Sequence, residues 1–150
     1  SNGWRYGAPI VPGPITLNDL YNIIPMNPPV QTVNISGEEL LDLLEDNLEK
    51  TFAPDPYNQL GGFVKRSLGL KAFIKIEAPK GNRIKKLFVN GEELDPQRRY
   101  TAAFVTEQGV PGKYGQERKA AGIKAIEAMT LYLQKHSPIE IKLLGTFTAV

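Results

Sequence analysis

The chain has 150 residues, a length at which a single domain can bury a proper hydrophobic core. Hydrophobic residues make up 41% and charged residues 23%, which argues against disorder and against a fibrous repeat. The 18 Lys plus Arg against 16 Asp plus Glu leave a net charge of +2, so charge alone does not predict a nucleic-acid partner. The lack of cysteine excludes disulfides and thiolate metal sites, and the single histidine argues against a His-rich metal centre.

The chain begins with Ser1 and not with Met, so we expect it to be cut from a longer protein. No internal repeat and no shift in composition divides it, which favours one domain over residues 1–150. No apolar run approaches the roughly 20 residues of a membrane-spanning helix. We therefore predict a single domain without a membrane span.

Two helices and a strand are predicted in the first third of the chain. Thr16 and Asp19 form a capping-box pattern before an apolar stripe at helical spacing, and Pro25 ends this short helix. The β-branched run at 30–35 predicts a strand. A second capping box begins at Ser36 and predicts an amphipathic helix against the core. Its apolar stripe comprises Leu40, Leu41, Leu44, Leu48 and Phe52.

The remainder of the chain combines strands with glycine-rich loops. The pair Asn90-Gly91 favours the type I′ turn of a β-hairpin. Gly and Pro residues predict loops at 53–67 and 107–116, and an apolar stripe predicts a last helix from Ala125 to Leu133. Strands are predicted at 70–77, 84–89, 92–94, 100–106 and 139–147. This order predicts an α+β domain with a mixed or antiparallel sheet covered by helices.

The charged side chains carry no motif of a known catalytic type, such as a P-loop, a nucleophile elbow or a His-Glu-x-x-His pair. We predict no catalytic residue and no metal ligand in this chain. His136 lies near the end of the last helix, where a cation stabilises the helix dipole. The carboxylates of the leucine-rich helix are expected to form its solvated face: Glu38, Glu39, Asp42, Glu45, Asp46 and Glu49. The basic side chains near the hairpin are expected to be solvated as well: Lys80, Arg83, Lys85, Lys86, Arg98 and Arg99.

Three loops combine glycine or proline with side chains that can hold a ligand. Arg5 lies between Trp4 and Tyr6, and a guanidinium beside aromatic rings can bind a carboxylate, a phosphate or a ribose edge. The same triplet can equally pack the start of the chain. The second loop is the Met26-Asn27 corner. The third is Gly61-Gly62-Phe63, with Tyr114 as a candidate partner across a planar ring such as a nucleobase.

The order of these segments resembles the C-terminal domain of the 5′-nucleotidases. The resemblance covers nearly the whole chain and rests on several motifs in sequence. They are Gly3-Trp4-Arg5, Gly13-Pro14-Ile15-Thr16, Asp19 to Asn27, Val33 to Leu41, Gly61-Gly62-Phe63, Ile84 to Leu94, and Tyr100 to Ala103.

The resemblance implies that an N-terminal metallophosphoesterase domain of the same protein carries two divalent metal ions and the hydrolytic machinery. This chain would then bind the nucleoside part of the substrate, be inactive alone, and hold no cofactor. The resemblance also implies export from the cytoplasm. The substrate-binding residues would be Arg5, Met26, Asn27, Gly62, Phe63 and Tyr114.

Two departures from the family pattern keep alternatives open. Met26 stands where the family has a base-stacking phenylalanine, and Pro28 stands where it has an asparagine. The family's second stacking aromatic has no counterpart at 104–114, where only Gly112 and Tyr114 agree. A similar pattern occurs in the branch of sulfur-oxidising thiohydrolases, whose substrate is not a nucleotide. A non-catalytic interaction module, with Tyr57, Phe63 and Tyr114 contacting another protein, is the competing hypothesis.

Overall fold

The computed structural model describes residues 10–60, 63–140 and 144–150. The helices of this part of the chain are α1 (Leu17–Ile23), α2 (Gly37–Phe52) and α3 (Ala125–His136). The strands are β1 (Pro29–Ser36), β2 (Leu70–Ile74), β3 (Ile84–Val89), β4 (Glu92–Glu93), β5 (Arg99–Phe104), β6 (Gln116–Lys124) and β7 (Phe147–Ala149). A short 3-10 turn, Pro56–Asn58, follows α2.

The described strands form two sheets. β1 is the central strand of an antiparallel sheet with the order β5-β1-β6. The second sheet has the order β4-β3-β2-β7, in which β7 pairs with β2 in parallel and the other pairs are antiparallel. The α+β prediction is confirmed, with one antiparallel and one mixed sheet among the described residues.

Helix α2 connects the two sheets through a shared core. Its predicted capping box is confirmed, since Ser36 Oγ accepts the Glu39 N–H at 3.1 Å and a Glu39 carboxylate oxygen accepts the Ser36 N–H at 2.9 Å. Burying this helix stripe against both sheets forms the larger of the two apolar clusters in the described residues. The buried members are Val33, Ile35, Leu40, Leu43, Leu44, Leu48, Ala72, Ile74, Leu87, Phe104, Val110 and Tyr114.

Helices α1 and α3 pack together in a second, smaller cluster. Leu20 and Ile24 from the α1 segment contact Ala125 and Ile126 at the start of α3. The capping box at Thr16 is also confirmed, because the Thr16 N–H donates to Asp19 at 2.7 Å. This cluster positions the start of β1.

Two strands differ from what the sequence predicted. Strand β6 was not predicted, because only Arg118 and Ile123 in it are even partly buried and its side chains show no apolar alternation. Main-chain pairing with β1 defines this edge strand. The predicted strand at 139–147 is confirmed only at its end, where the structure has Phe147–Ala149. Its position follows from parallel pairing with β2, and residues 141–143 lie outside the described residues.

The expectation that all carboxylates of α2 face solvent was also wrong. Glu45 is only 6% exposed, and its Oε1 accepts the Ile84 N–H at 2.7 Å. Glu49 pairs at 2.9 Å with Arg83, which is itself 3% exposed and not on the solvated surface predicted for it. The helical spacing of Glu45 and Glu49 predicts that they face solvent. They are covered because β3 packs across this face of the helix.

Glu39 makes a pH-dependent contribution to stability. Its carboxylate accepts hydrogen bonds from the backbone N–H groups of Ser36 and Gly115, and these bonds hold its pKa below the ordinary value of 4.5. A lowered folded-state pKa gives stability above the unfolded pKa that is lost as the pH falls through the folded value.

We therefore expect Glu39→Gln to lower the free energy of unfolding at pH 7 and to weaken its decline below about pH 4.5. Urea unfolding at a series of pH values measures both effects. Glu38→Gln, at the exposed neighbouring position, is the matched control and should keep the wild-type pH dependence. Identical pH profiles for Glu39→Gln and wild type would contradict the assignment.

Candidate functional site

The Met26-Asn27 corner connects α1 to β1 on a fixed backbone. The Asn27 N–H donates to the Ile24 carbonyl at 3.0 Å and closes a turn. Asn27 has a φ of 41°, in the left-handed region that asparagine tolerates better than most residues. Met26 at the tip is 73% exposed. The corner thus presents a flexible, polarisable side chain to solvent.

Asn27 also holds the first turn of helix α3. The N-cap residue of this helix, Lys124, makes no side-chain capping bond. Instead, Asn27 Oδ1 accepts the Ile126 N–H at 3.0 Å, and the Pro28 carbonyl accepts the Ala125 N–H at 3.0 Å. These acceptors satisfy donors that every helix leaves free at its start. Asn27 therefore has a structural role that sequence reasoning missed, because its partner lies 99 residues further along the chain.

Removing this cap should destabilise the domain measurably. We expect Asn27→Ala to lower the free energy of unfolding by about 1 kcal/mol, the usual effect of losing a helix cap. Asn27→Asp keeps an acceptor oxygen and tolerates the left-handed backbone, so it should stay close to wild type. Thermal and urea unfolding compare the two variants. Equal destabilisation by both would show that the cap is not the cause.

The segment after Gly62 is attached to the middle of helix α2. Asn47 Nδ2 and Thr51 Oγ1 donate to the Phe63 carbonyl at 3.4 and 3.2 Å. Asn47 Oδ1 accepts the Lys65 N–H at 2.8 Å. Phe63 is half-buried on this helix. The helix therefore sets the position of one predicted site residue.

Tyr114 belongs to the core and not to an open loop surface. It is 7% exposed and packs in the cluster around α2. Arg118 fixes the backbone that precedes Tyr114, because its guanidinium donates to the carbonyls of Val110 and Pro111, both at 3.0 Å. The Arg118 guanidinium also lies 4.6 Å from the centre of the Phe104 ring. Sequence reasoning did not single out Arg118, because it lies in the unpredicted strand β6.

Asp46 and Lys50 of α2 form a small charged cluster with Lys113, which precedes Tyr114. Asp46 accepts a hydrogen bond from Lys50 at 2.8 Å, and Lys113 lies 3.5 Å from the same oxygen. Burial raises the pKa of Asp46, but the hydrogen bond and charge of Lys50, joined by Lys113, outweigh it and leave that pKa below its usual value. The Lys113 ammonium lies 4.7 Å from the centre of the Tyr114 ring, and interaction with the Tyr114 side chain raises the pKa of Lys113. Lys113 thus links the Tyr114 loop to α2.

The structure separates the predicted site residues into two groups. Phe63 and Tyr114 lie near α2, whereas Met26 and Asn27 lie where β1 begins. The pairing of β6 with β1 shows how far apart the two groups lie. At the corner, Lys124 pairs with Pro29, and close to Tyr114, Gln116 pairs with Asn34. These pairs are five positions apart on β1, which corresponds to roughly 16 Å at the rise of a β-strand.

Two of the predicted site residues lie outside the described residues: Arg5 and Gly62. His136 is in the last turn of α3, as predicted; its Nδ1 lies 2.8 Å from the Tyr132 carbonyl, and its ring stacks on Tyr132 with 4.1 Å between centres. Within 10–60, 63–140 and 144–150, no group of three or more His, Asp or Glu side chains could hold a metal ion. In the same residues, no helix combines the length and apolarity needed to cross a bilayer.

Comparison with known proteins assigns the family. The sequence profile described as "5′-nucleotidase, C-terminal domain" matches residues 1–106. The chain belongs to the 5′-nucleotidase C-terminal domain family. No curated protein sequence matches it significantly.

Solved structures share the fold of this 5′-nucleotidase C-terminal domain. The sulfate thiohydrolase SoxB from Thermus thermophilus superposes with a TM-score of 0.75 at 28% identity, over 91% of this chain and 25% of its own. A 5′-nucleotidase precursor from Thermus thermophilus gives 0.71 at 23% identity, over 92% and 28%. The NAD nucleotidase NadN from Haemophilus influenzae gives 0.73 at 20% identity, over 94% and 28%. The chain thus spans about a quarter of the length of these relatives.

Proposed function

We propose that this domain recognises the substrate of a two-domain hydrolase of the 5′-nucleotidase type and is inactive alone. Membership of the 5′-nucleotidase C-terminal domain family carries the proposal. Under this proposal, a metallophosphoesterase domain elsewhere in the same protein supplies two divalent metal ions and carries out the hydrolytic step. The proposal also includes export of the protein. The residues of the present chain bind and orient the substrate.

The first candidate substrate is a nucleotide, held through its nucleoside part. The exposed Met26 stands at the family's base-contacting corner, and its thioether can lie against a flat ring. The anchored backbone around Asn27 fixes the position from which this side chain extends. Arg5, Gly62 and Phe63 complete the proposed set, whereas the Tyr114 side chain, which is 7% exposed, packs in the core behind it.

The second candidate is a sulfur compound, and two observations favour it. The Tyr114 ring is 7% exposed, so little of it is open for stacking on a base. Among the structures compared above, the sulfate thiohydrolase SoxB has the highest identity and TM-score. A substrate without a base needs no second aromatic ring.

A titration of the chain labelled with ¹³C on its methionine methyl groups separates these candidates. The chain has two methionines, so the spectrum holds one signal from Met26 and one from half-buried Met129 as an internal control. Saturable shifts of Met26 with adenosine monophosphate support the nucleotide, and shifts with thiosulfate alone support the sulfur compound. No shift with either ligand would reject substrate recognition at this corner and favour the interaction module.

The substitution Met26→Phe provides a stronger test, because it restores the family's stacking residue. Base–aromatic stacking contributes about 1–3 kcal/mol, so the affinity for adenosine should rise about tenfold if the corner contacts a base. Met26→Ala is the matched control and should bind more weakly than wild type. Because Met26 is exposed, neither change should alter the unfolding temperature. Calorimetric titration measures the affinities, and equal values for all three chains would contradict a base contact.

A further inference from the structure

A cavity of about 410 Å³ lies between the two sheets, and neither Met26, Asn27, Phe63 nor Tyr114 is among its lining residues. Strand β5 lines one side of this inter-sheet cavity, and Leu70 and Val89 of the second sheet line the other. Apolar side chains of α2 line it further: Leu40, Leu43 and Leu44. Its volume is within the range of about 300–1,000 Å³ that small-molecule sites occupy.

The segment around Ser67 and the segment around Val110 contribute further walls of the cavity, and Lys65 connects the two segments. The Lys65 ammonium group donates to the carbonyl of Gln108, next to the lining residues Gly109 and Val110. An ammonium has three donors, and this bond uses one. Burial lowers the pKa of Lys65, and the nearby charge of Lys50 lowers it further, although Asp46 opposes both. An added negative charge beside Lys65 would stabilise its protonated form.

Ser67 supplies a second polar group in the cavity wall. Its Oγ is buried and has no hydrogen-bond partner among the described residues. An unsatisfied buried hydroxyl costs stability, and a bound acceptor would relieve that cost. Ser67 and Lys65 are two residues apart on the same segment.

We propose that the inter-sheet cavity binds a small amphipathic anion of the medium-chain carboxylate class. The carboxylate accepts a hydrogen bond from Lys65 and, once the buried Ser67 hydroxyl rotates toward it, a second from Ser67. The alkyl chain packs against the leucines of α2. Charge complementarity selects the anion, since Lys65 is the charged residue in the described lining and no Asp or Glu contributes to it. The ligand reaches the cavity beside Leu68, which is 83% exposed.

Titration with octanoate tests the proposal. We expect saturable shifts of the Val110 and Ile35 methyl signals, with 1-octanol at least tenfold weaker because it lacks the charge. Lys65→Met keeps most of the apolar stem and should reduce octanoate affinity about tenfold while leaving octanol affinity unchanged. Lys113→Met removes an exposed lysine outside the cavity and should bind octanoate like wild type.

Several results would overturn the proposal. They are the absence of saturable octanoate binding, equal affinity for octanoate and octanol, and an unchanged octanoate affinity in Lys65→Met. Shifts confined to Met26 would place the ligand at the corner and overturn it as well. Unfolding curves verify that both lysine variants are folded, and Ser67→Ala, expected to weaken octanoate binding, provides an independent test should Lys65→Met fail to fold. These results are independent of the nucleotide and thiosulfate titrations, so the two proposals can fail separately.

Discussion

Replacing Arg83 with methionine is expected to lower the free energy of unfolding by about 3 kcal/mol, because it breaks a buried ion pair. The Arg83 side chain is 4% exposed and donates to Glu49 at 2.9 Å. It also donates to the carbonyls of Ile76 and Phe52. The substitution leaves the Glu49 carboxylate and two carbonyls without this donor in a site that excludes most water.

Urea unfolding measures this effect, and two further variants define its cause. Arg98→Met breaks an exposed pair with Glu92 and should be indistinguishable from wild type. The double substitution Arg83→Met with Glu49→Leu removes both charges and should recover part of the lost stability. A loss no greater than that of Arg98→Met would show that the pair contributes nothing.

Gly37→Ala is expected to destabilise the domain by about 2 kcal/mol, although alanine favours a helix over glycine by about 1 kcal/mol. A Cβ at this position would lie 2.1 Å from the Asp95 carbonyl oxygen and 2.9 Å from the Pro96 Cα. The turn at 95–98 cannot retreat freely, because the Gly37 and Glu38 N–H groups donate to the carbonyls of Arg98 and Pro96. Overpacking against this backbone therefore outweighs the helix propensity.

Gly112→Ala is the matched control for this prediction. The nearest atom to its added methyl group is Glu107 Oε2 at 3.4 Å, at the end of a flexible side chain. Its stability should remain within a few tenths of a kcal/mol of wild type, as for surface substitutions in general. Denaturation of both variants under identical conditions gives the comparison. A Gly37→Ala chain as stable as wild type would mean that the 95–98 turn does not press against α2.

The segments proposed to bind the substrate are held by two different helices. The Met26-Asn27 corner is held by the start of α3, whereas the segment after Gly62 and the Tyr114 loop are held by α2. Substitutions at Asn27 therefore change stability as well as any ligand contact. Met26 is 73% exposed, so substitutions there should change ligand binding without changing stability.

Much of the fold could be predicted because local patterns were strong. The capping boxes at Thr16 and Ser36 and the leucine stripe of α2 specify those helices through contacts a few residues apart. The hairpin turn at Asn90-Gly91 is equally local. The family could be inferred from the order of motifs at 1–106, the region that the family profile matches.

The sequence by itself therefore determined the helices, most strands, the α+β class and the family of this domain. Tertiary structure alone decided which charges are buried, where the edge strand β6 runs, and what Asn27 and Tyr114 contact. The physical reason is the range of the interactions. Helix periodicity and capping act over three or four residues, whereas Glu45 meets β3 39 positions away and Asn27 meets α3 99 positions away. Only packing of distant segments brings such groups together and converts solvent-facing patterns into buried contacts.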